Sequence, residues 1–136
     1  IGEGHIAPRD LQILCVEDNA INRKIMNFML RKLGIVNIDS ACDGLEGLQK
    51  VKEKEQAYDI VFMDLQMPQM SGIECTSKIR ELADIKKAHT PIVAVTANAD
   101  VRTIESCLAM SFNDVLTKPV SIETLVQLIR KFSKTI

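Results

Sequence analysis

A single α/β domain built on a doubly wound, flavodoxin-like (βα)5 parallel sheet of strand order 2-1-3-4-5 is the fold this sequence predicts. Three observations carry that prediction. Short apolar runs alternate five times with helix-like segments along 136 residues, the rhythm of βαβ units joined by right-handed crossovers. The clearest runs are continuously apolar rather than alternating, as strands covered on both faces are. Acidic or hydroxyl residues stand where the runs end, at the carboxyl edge where such sheets carry their sites.

Residues 1–9, with two Gly and a Pro, read as a linker or cloning remnant, and residues 10–136 as the domain. Leu11–Glu17 is the first strand. Ala20–Leu33 follows as a helix with Ile21, Ile25, Phe28, Met29 and Leu33 along one face, capped by Asn19 and stopped by Gly34. Val36–Ala41 is a weaker, more polar strand suited to a sheet edge. Gly44–Glu55 is a helix that turns Leu45, Leu48 and Val51 inward and ends in a solvated charge run. Asp59–Asp64 is the most apolar strand; Leu65–Ser71, with Pro68, is a loop, and Ile73–Ala83 the third helix. Thr90-Pro91 leads into a strand over Ile92–Thr96, and Asp100–Met110 is helical. Val115–Thr117 is a short strand closed by Pro119. Ser121 caps a last helix in which Ile122, Leu125, Ile129 and Phe132 recur at helical spacing.

Composition narrows the function. Apolar residues at 46% and charged residues at 26% describe a folded chain, and a formal charge of -1 gives no global attraction to nucleic acid or anionic membrane. No apolar run approaches the ~20 residues of a membrane span, and no signal peptide is visible. The chain starts at Ile1 and reads as a piece of something longer. Cys15, Cys42, Cys75 and Cys107 are scattered without C-x-x-C spacing. They are expected to be small buried residues rather than zinc ligands or a disulfide framework.

The predicted topology makes the first and third strands neighbours. Glu17, Asp18 and Asp64 then converge, with Thr96 ending the fourth strand and Lys118 following the fifth. Three carboxylates in one small space repel unless a cation sits among them. Hard oxygen donors with room for a phosphate oxygen suit Mg²⁺. Taken singly, Asn19 is a good N-cap, Thr96 an ordinary strand residue and Lys118 an ordinary surface cation. Together they suit an Asp nucleophile and a phosphoryl group whose oxygens are held by a metal, a Lys and a hydroxyl.

The motifs L-x-V-E-D-N-x-x-N, F-M-D-x-Q-M-P-x-M-x-G, P-I-V-A-V-T-A-N-A and L-x-K-P span about Leu11–Phe132. The pattern resembles the receiver domains of response regulators and hybrid histidine kinases in two-component phosphorelays. The resemblance implies that Asp64 is the phosphoacceptor, and that Mg²⁺ is bound by Asp18, Asp64 and the Gln66 backbone carbonyl, with Glu17 acting through water. It makes Thr96 the switch hydroxyl and Lys118 the phosphate-binding lysine, with a Lys118–Pro119 peptide that is commonly cis. Asn19, Asn22, Q-M-P and T-A-N-A are most similar to receivers fused to hybrid sensor kinases, the alternative being a stand-alone regulator. A receiver acts on its own aspartate, so whether this chain counts as an enzyme stays open.

The implied partner is a histidine kinase transmitter or histidine phosphotransfer protein, docked on Ala20–Leu33 and the loops around Asp64. Direct binding of nucleic acid or membrane is not expected, a homodimer is possible, and the expected location is the cytoplasm. His5 and His89 are loop residues unsuited to serve as phosphodonor. Gln66 and Asn98 stand where they could screen attacking water.

Two positions depart from the family pattern. Val115 stands where receivers often carry an aromatic; the only Tyr, Tyr58, precedes the third strand, and Phe112 is three residues away. Coupling to a partner surface is then differently built, and a phosphorylation-independent docking module is the rival reading. Ser111 occupies a turn position where Gly is frequent. Other phosphate chemistries fit poorly. A haloacid-dehalogenase-like phosphatase needs an acid where Gln66 stands. A flavodoxin-type FMN site needs a hydroxyl- and Gly-rich loop in place of E-D-N, and the P-loop motif is missing.

Overall fold

The computed structural model describes residues 7–98 and 100–133. Five parallel strands, β1 (Gln12–Val16), β2 (Asn37–Ala41), β3 (Ile60–Asp64), β4 (Ile92–Thr96) and β5 (Asp114–Thr117), form one sheet in the order β2-β1-β3-β4-β5. They are joined by α1 (Ala20–Lys32), α2 (Gly44–Glu53), α3 (Gly72–Arg80), a four-residue α4 (Ile85–Ala88) and α5 (Val101–Ala109), with α6 (Ile122–Ser133) last. The predicted fold class and strand order are both found.

Alternation along the strands divides the core in two. Leu14, Val16, Val61, Met63 and Ala94 face Leu48 and Val51 of α2 and Ile79 of α3. Ile13, Cys15, Phe62, Val93 and Val95 face Met26 and Leu30 of α1 and Leu125 and Ile129 of α6. Both faces of the central strands are thereby removed from water, the condition under which a parallel sheet persists.

Three expectations need correction. Along α1 the buried stripe is Met26 and Leu30, with Met29 and Leu33 partly covered. Ile21, Ile25 and Phe28, assigned to the same apolar face, are 68%, 46% and 61% exposed. The helix carries two adjacent apolar stripes, 26-29-30-33 and 21-25-28, and only one can meet the sheet. Leu45 is half exposed because α2 approaches through Gly44 and Gly47; a Cβ at Gly47 would lie 3.0 Å from Val16. Cys42 is exposed, since the chain leaves β2 one residue earlier, whereas Cys15, Cys75 and Cys107 are buried as free thiols.

Helix α4 has no sequence periodicity and was not foreseen. Asp84 starts it by accepting from the Lys86 and Lys87 N–H groups, and the buried Lys87 ammonium donates to the Lys52 and Lys54 carbonyls at 2.7 and 2.6 Å. That cation satisfies carbonyls left over at the C-terminus of α2. Arg80 donates to the carbonyls of Ala88, Thr90 and Ser111 and to Asn113 Oδ1, tying the loops below β4 and β5 together.

Residues 1–6 of the expected linker lie outside the described residues; Pro8–Asp10 forms a 3-10 turn packed near Gly34, itself at φ 90°. Ser111 adopts φ 74°, consistent with its place where glycine is frequent. Among the described residues no helix is long and apolar enough to cross a membrane.

Candidate functional site

The sheet register brings the acids together. Val16 pairs with Met63 across β1 and β3, so the next residues, Glu17 and Asp64, leave the sheet side by side. Asp64 pairs with Val95, and Thr96 with Thr117, which places Thr96 and the following Lys118 on the same edge. The Lys118 N–H donates to the Thr96 carbonyl at 2.8 Å, and the Lys118–Pro119 peptide is cis.

Carboxylate oxygens of Glu17, Asp18 and Asp64 all lie within 4.8 Å of one another, with Glu17 and Asp64 buried and Asp18 exposed. The Lys118 ammonium stands 3.2 Å from Glu17 Oε1 and 3.6 Å from Asp64 Oδ1. The Gln66 N–H reaches Asp64 Oδ1 at 3.4 Å. On the α1 side Glu17 and Asp64 border a cavity of about 460 Å³ lined by Met26, Met29, Phe62, Val95 and Val120 among others.

This setting splits the acids. Burial pushes the Asp64 carboxyl up, and the adjacent Glu17 carboxylate adds to the effect, to about 7, against the pull of Lys118 and the Gln66 N–H. Burial also opposes charge on Glu17. Hydrogen bonding toward Asp64, Asp18 and the Asn19 N–H, together with the Lys118 ammonium, outweighs it and lowers Glu17 to about 2. The donor set is all oxygen and closely spaced, which fits a small hard divalent ion.

The loop carrying two of these acids is held at every turn. The Glu17 N–H donates to the Ala41 carbonyl, and the Asn19 N–H to Glu17 Oε2 at 3.2 Å. Asn19 caps α1 by accepting from the Asn22 N–H. The Arg23 guanidinium donates to the Glu17 and Asp18 carbonyls at 2.7 and 3.1 Å. Arg23 was not singled out from the sequence, although a cation near a helix N-terminus, where the dipole disfavours it, is a signal that it binds something.

Thr96 sits at the edge as expected, but its hydroxyl accepts the Asn98 N–H at 3.1 Å and touches neither Asp64 nor Lys118 among the described residues. Phe112 is buried in the core on the α2–α3 side, and Tyr58 donates to Asp39 Oδ2 at 2.7 Å. Neither ring borders the site. His89 closes α4, its Nδ1 2.8 Å from the Ile85 carbonyl, away from the acids.

Residues 13–130 match the model of the response regulator receiver domain. The chain belongs to the receiver domain family. As a receiver it is 42% identical over 125 residues to the osmosensing histidine protein kinase SLN1 of Saccharomyces cerevisiae, covering 90% of this chain and 10% of the kinase. The chain thus spans about a tenth of that relative. Among solved structures it is similar to the receiver domain of the sensor histidine kinase PA1611 from Pseudomonas aeruginosa, which has magnesium coordinated in its active-site cleft. There the TM-score is 0.81 at 31% identity, covering 91% of this chain and 98% of that one. It is equally close to the Saccharomyces cerevisiae Ssk1 receiver domain crystallised with the histidine phosphotransfer protein Ypd1, with a TM-score of 0.80 at 32% identity, covering 95% and 92%.

Proposed function

We propose that this receiver domain takes a phosphoryl group from a phosphohistidine onto Asp64 in a Mg²⁺-dependent reaction. The convergence of Glu17, Asp18 and Asp64 on one point beside Lys118 carries the reading. Asp18, Asp64 and the Gln66 carbonyl would hold the ion, with Glu17 acting through water. When bound, a divalent cation neutralises charge on the phosphoryl oxygens and favours the ionised Asp64. An Asp64 oxygen attacks phosphorus, a P–O bond forms, and the P–N bond breaks. The imidazole departs with that electron pair and takes up a proton. Lys118, already between the two buried carboxylates, turns its ammonium to a phosphoryl oxygen. The Thr96 hydroxyl leaves the Asn98 N–H for another, the movement that reports phosphorylation. Gln66, whose N–H reaches Asp64, and Asn98, bonded to the Thr96 hydroxyl, would tune the lifetime of the acyl phosphate.

The donor is a histidine phosphotransfer protein or a kinase transmitter seated on α1, where Ile21, Ile25 and Phe28 stand in solvent. Similarity to SLN1 supports a hybrid sensor kinase as the parent chain, and the cytoplasm is the location this reading assigns to the domain. The test is incubation with acetyl phosphate and Mg²⁺, read by intact mass. Wild-type protein gains one phosphoryl group, and Asp64→Asn gains none. An inert wild type would leave only the docking-module reading, and a labelled Asp64→Asn would mean the acceptor lies elsewhere.

A further inference from the structure

Helix α1 does more than border the site. Arg23, four residues past the cap Asn19, reaches back over the first turn and donates through one nitrogen to two successive carbonyls, Glu17 at 2.7 Å and Asp18 at 3.1 Å. The Asn19 carbonyl accepts the Arg23 N–H at 3.0 Å, so side chain and backbone of one residue grip all three loop residues. The loop is also bonded by the Ala41 carbonyl, by Glu17 Oε2, by the Asn22 N–H at Asn19 Oδ1 and by the Lys118 ammonium at Glu17 Oε1. Among the described residues, no other side chain binds the Glu17 and Asp18 carbonyls.

We infer that Arg23 is a positioning residue for the metal site, its guanidinium fixing the backbone of residues 17 and 18 so that both carboxylates face Asp64. The inference rests on the Mg²⁺ reading above. Groups that orient metal ligands commonly govern affinity by about 10–100-fold without touching the ion. Here the oriented object is a peptide segment rather than a ligand side chain. Arginine suits the task because the two hydrogens of one planar guanidinium nitrogen point in fixed directions, one toward each carbonyl, whereas a lysine ammonium offers a point charge on a looser stem.

The sign of the effect separates this role from two simpler ones. Arg23 is a cation near a cation site, so as a mere charge its removal would tighten Mg²⁺ binding. As a mere helix-stabilising residue, its removal would lower the metal-free melting temperature and leave affinity alone. Only the clamp predicts weaker binding.

The measurement is a Mg²⁺ titration followed by backbone amide shifts of the whole domain, with metal-free melting temperatures alongside. Arg23→Met keeps the aliphatic stem and is expected to raise the Mg²⁺ dissociation constant about tenfold. Arg23→Lys is expected to raise it about threefold, one carbonyl being held instead of two. Lys24→Met, the loss of an exposed cation on the same turn, leaves it unchanged or slightly lower. With acetyl phosphate as donor, Arg23→Met raises the Mg²⁺ concentration for half-maximal labelling and preserves the rate at saturation. Wild-type affinity retained or tightened in Arg23→Met overturns the inference. Should that variant fail to fold, wild-type affinity in Arg23→Lys does the same. A wild-type protein that shows no saturable Mg²⁺ binding removes the metal reading and this inference with it.

Discussion

The Lys118 ammonium lies 3.6 Å from the Asp64 carboxylate and closer still, at 3.2 Å, to Glu17. Before any phosphoryl group arrives, the lysine already belongs to the acceptor's electrostatic environment. Removing it leaves two buried carboxylates without the only ammonium that pairs with them among the described residues. Lys118→Ala is expected to retain slow labelling by acetyl phosphate at saturating Mg²⁺, because the nucleophile and the acids remain. It loses the conformational response, since nothing then draws β5 toward the phosphate. Amide shifts in β4, β5 and α5 on adding beryllofluoride and Mg²⁺ check this; wild-type shifts in the variant would contradict it.

The proton held by Asp64 makes the metal-free protein sensitive to pH. The folded carboxyl is raised to about 7, above its ordinary value, so between about pH 4 and pH 7 the folded state binds more protons than the unfolded state. That contribution to stability is complete at the acidic end and lost as pH rises through 7. Glu17, lowered to about 2, stays ionised across the same window. Relative to Asp64→Asn, the metal-free melting temperature of wild type is expected to fall between pH 5 and pH 8. Because Mg²⁺ competes with that proton, its affinity rises over the same range. A pH-independent affinity would show that the acids are ionised without the metal.

Gly72 holds the acceptor from behind. A Cβ there would meet the Asp64 carbonyl oxygen at 2.0 Å and Met63 Cγ at 3.0 Å, so even one methyl must displace the backbone of the nucleophile. Gly72→Ala is expected to cost about 1–3 kcal/mol, the range for overpacking a full site. It should also slow acetyl phosphate labelling more than its loss of stability explains. Chemical denaturation and labelling rates at a temperature where the variant is fully folded separate the two effects.

The exposed stripe of α1 bears on the donor rather than on chemistry. Phe28 carries Lys32 at 5.1 Å from its ring, and Ile21 and Ile25 continue the stripe toward the acids. Ile25→Glu and Phe28→Glu are expected to reduce transfer from a phosphorylated histidine phosphotransfer protein by tenfold or more, leaving acetyl phosphate labelling near wild type. Equal loss with both donors would place the defect in folding or in the site itself.

Much of the fold was legible because its signals were local: continuous apolar strands, Asn19 and Ser121 as caps, Gly34 as a stop. The convergence of Glu17, Asp18 and Asp64 followed once the strand order was in place, since adjacency in a doubly wound sheet is a rule of topology. What stayed hidden depended on side chains reaching across space. Which stripe of α1 faces the sheet is decided by where the helix lies, and both stripes have the same period. The exposure of Cys42 and Leu45 follows from the close approach of two glycines in α2. Arg23, Arg80 and Lys87 find carbonyls that no spacing pattern marks.

Arg80 and Lys87 lock the end of the molecule opposite the acids, Arg80 by binding carbonyls of separate loops and Lys87 by binding two carbonyls at the end of α2. The end of the domain away from the acids is thereby cross-tied by two cations of α3 and α4. Amide protons of the buried strands β1, β3 and β4 should exchange last, and those of the exposed residues that follow Thr96 first. A disturbance at the acceptor then has no soft foundation to sink into, and it is passed outward to the neighbouring helices.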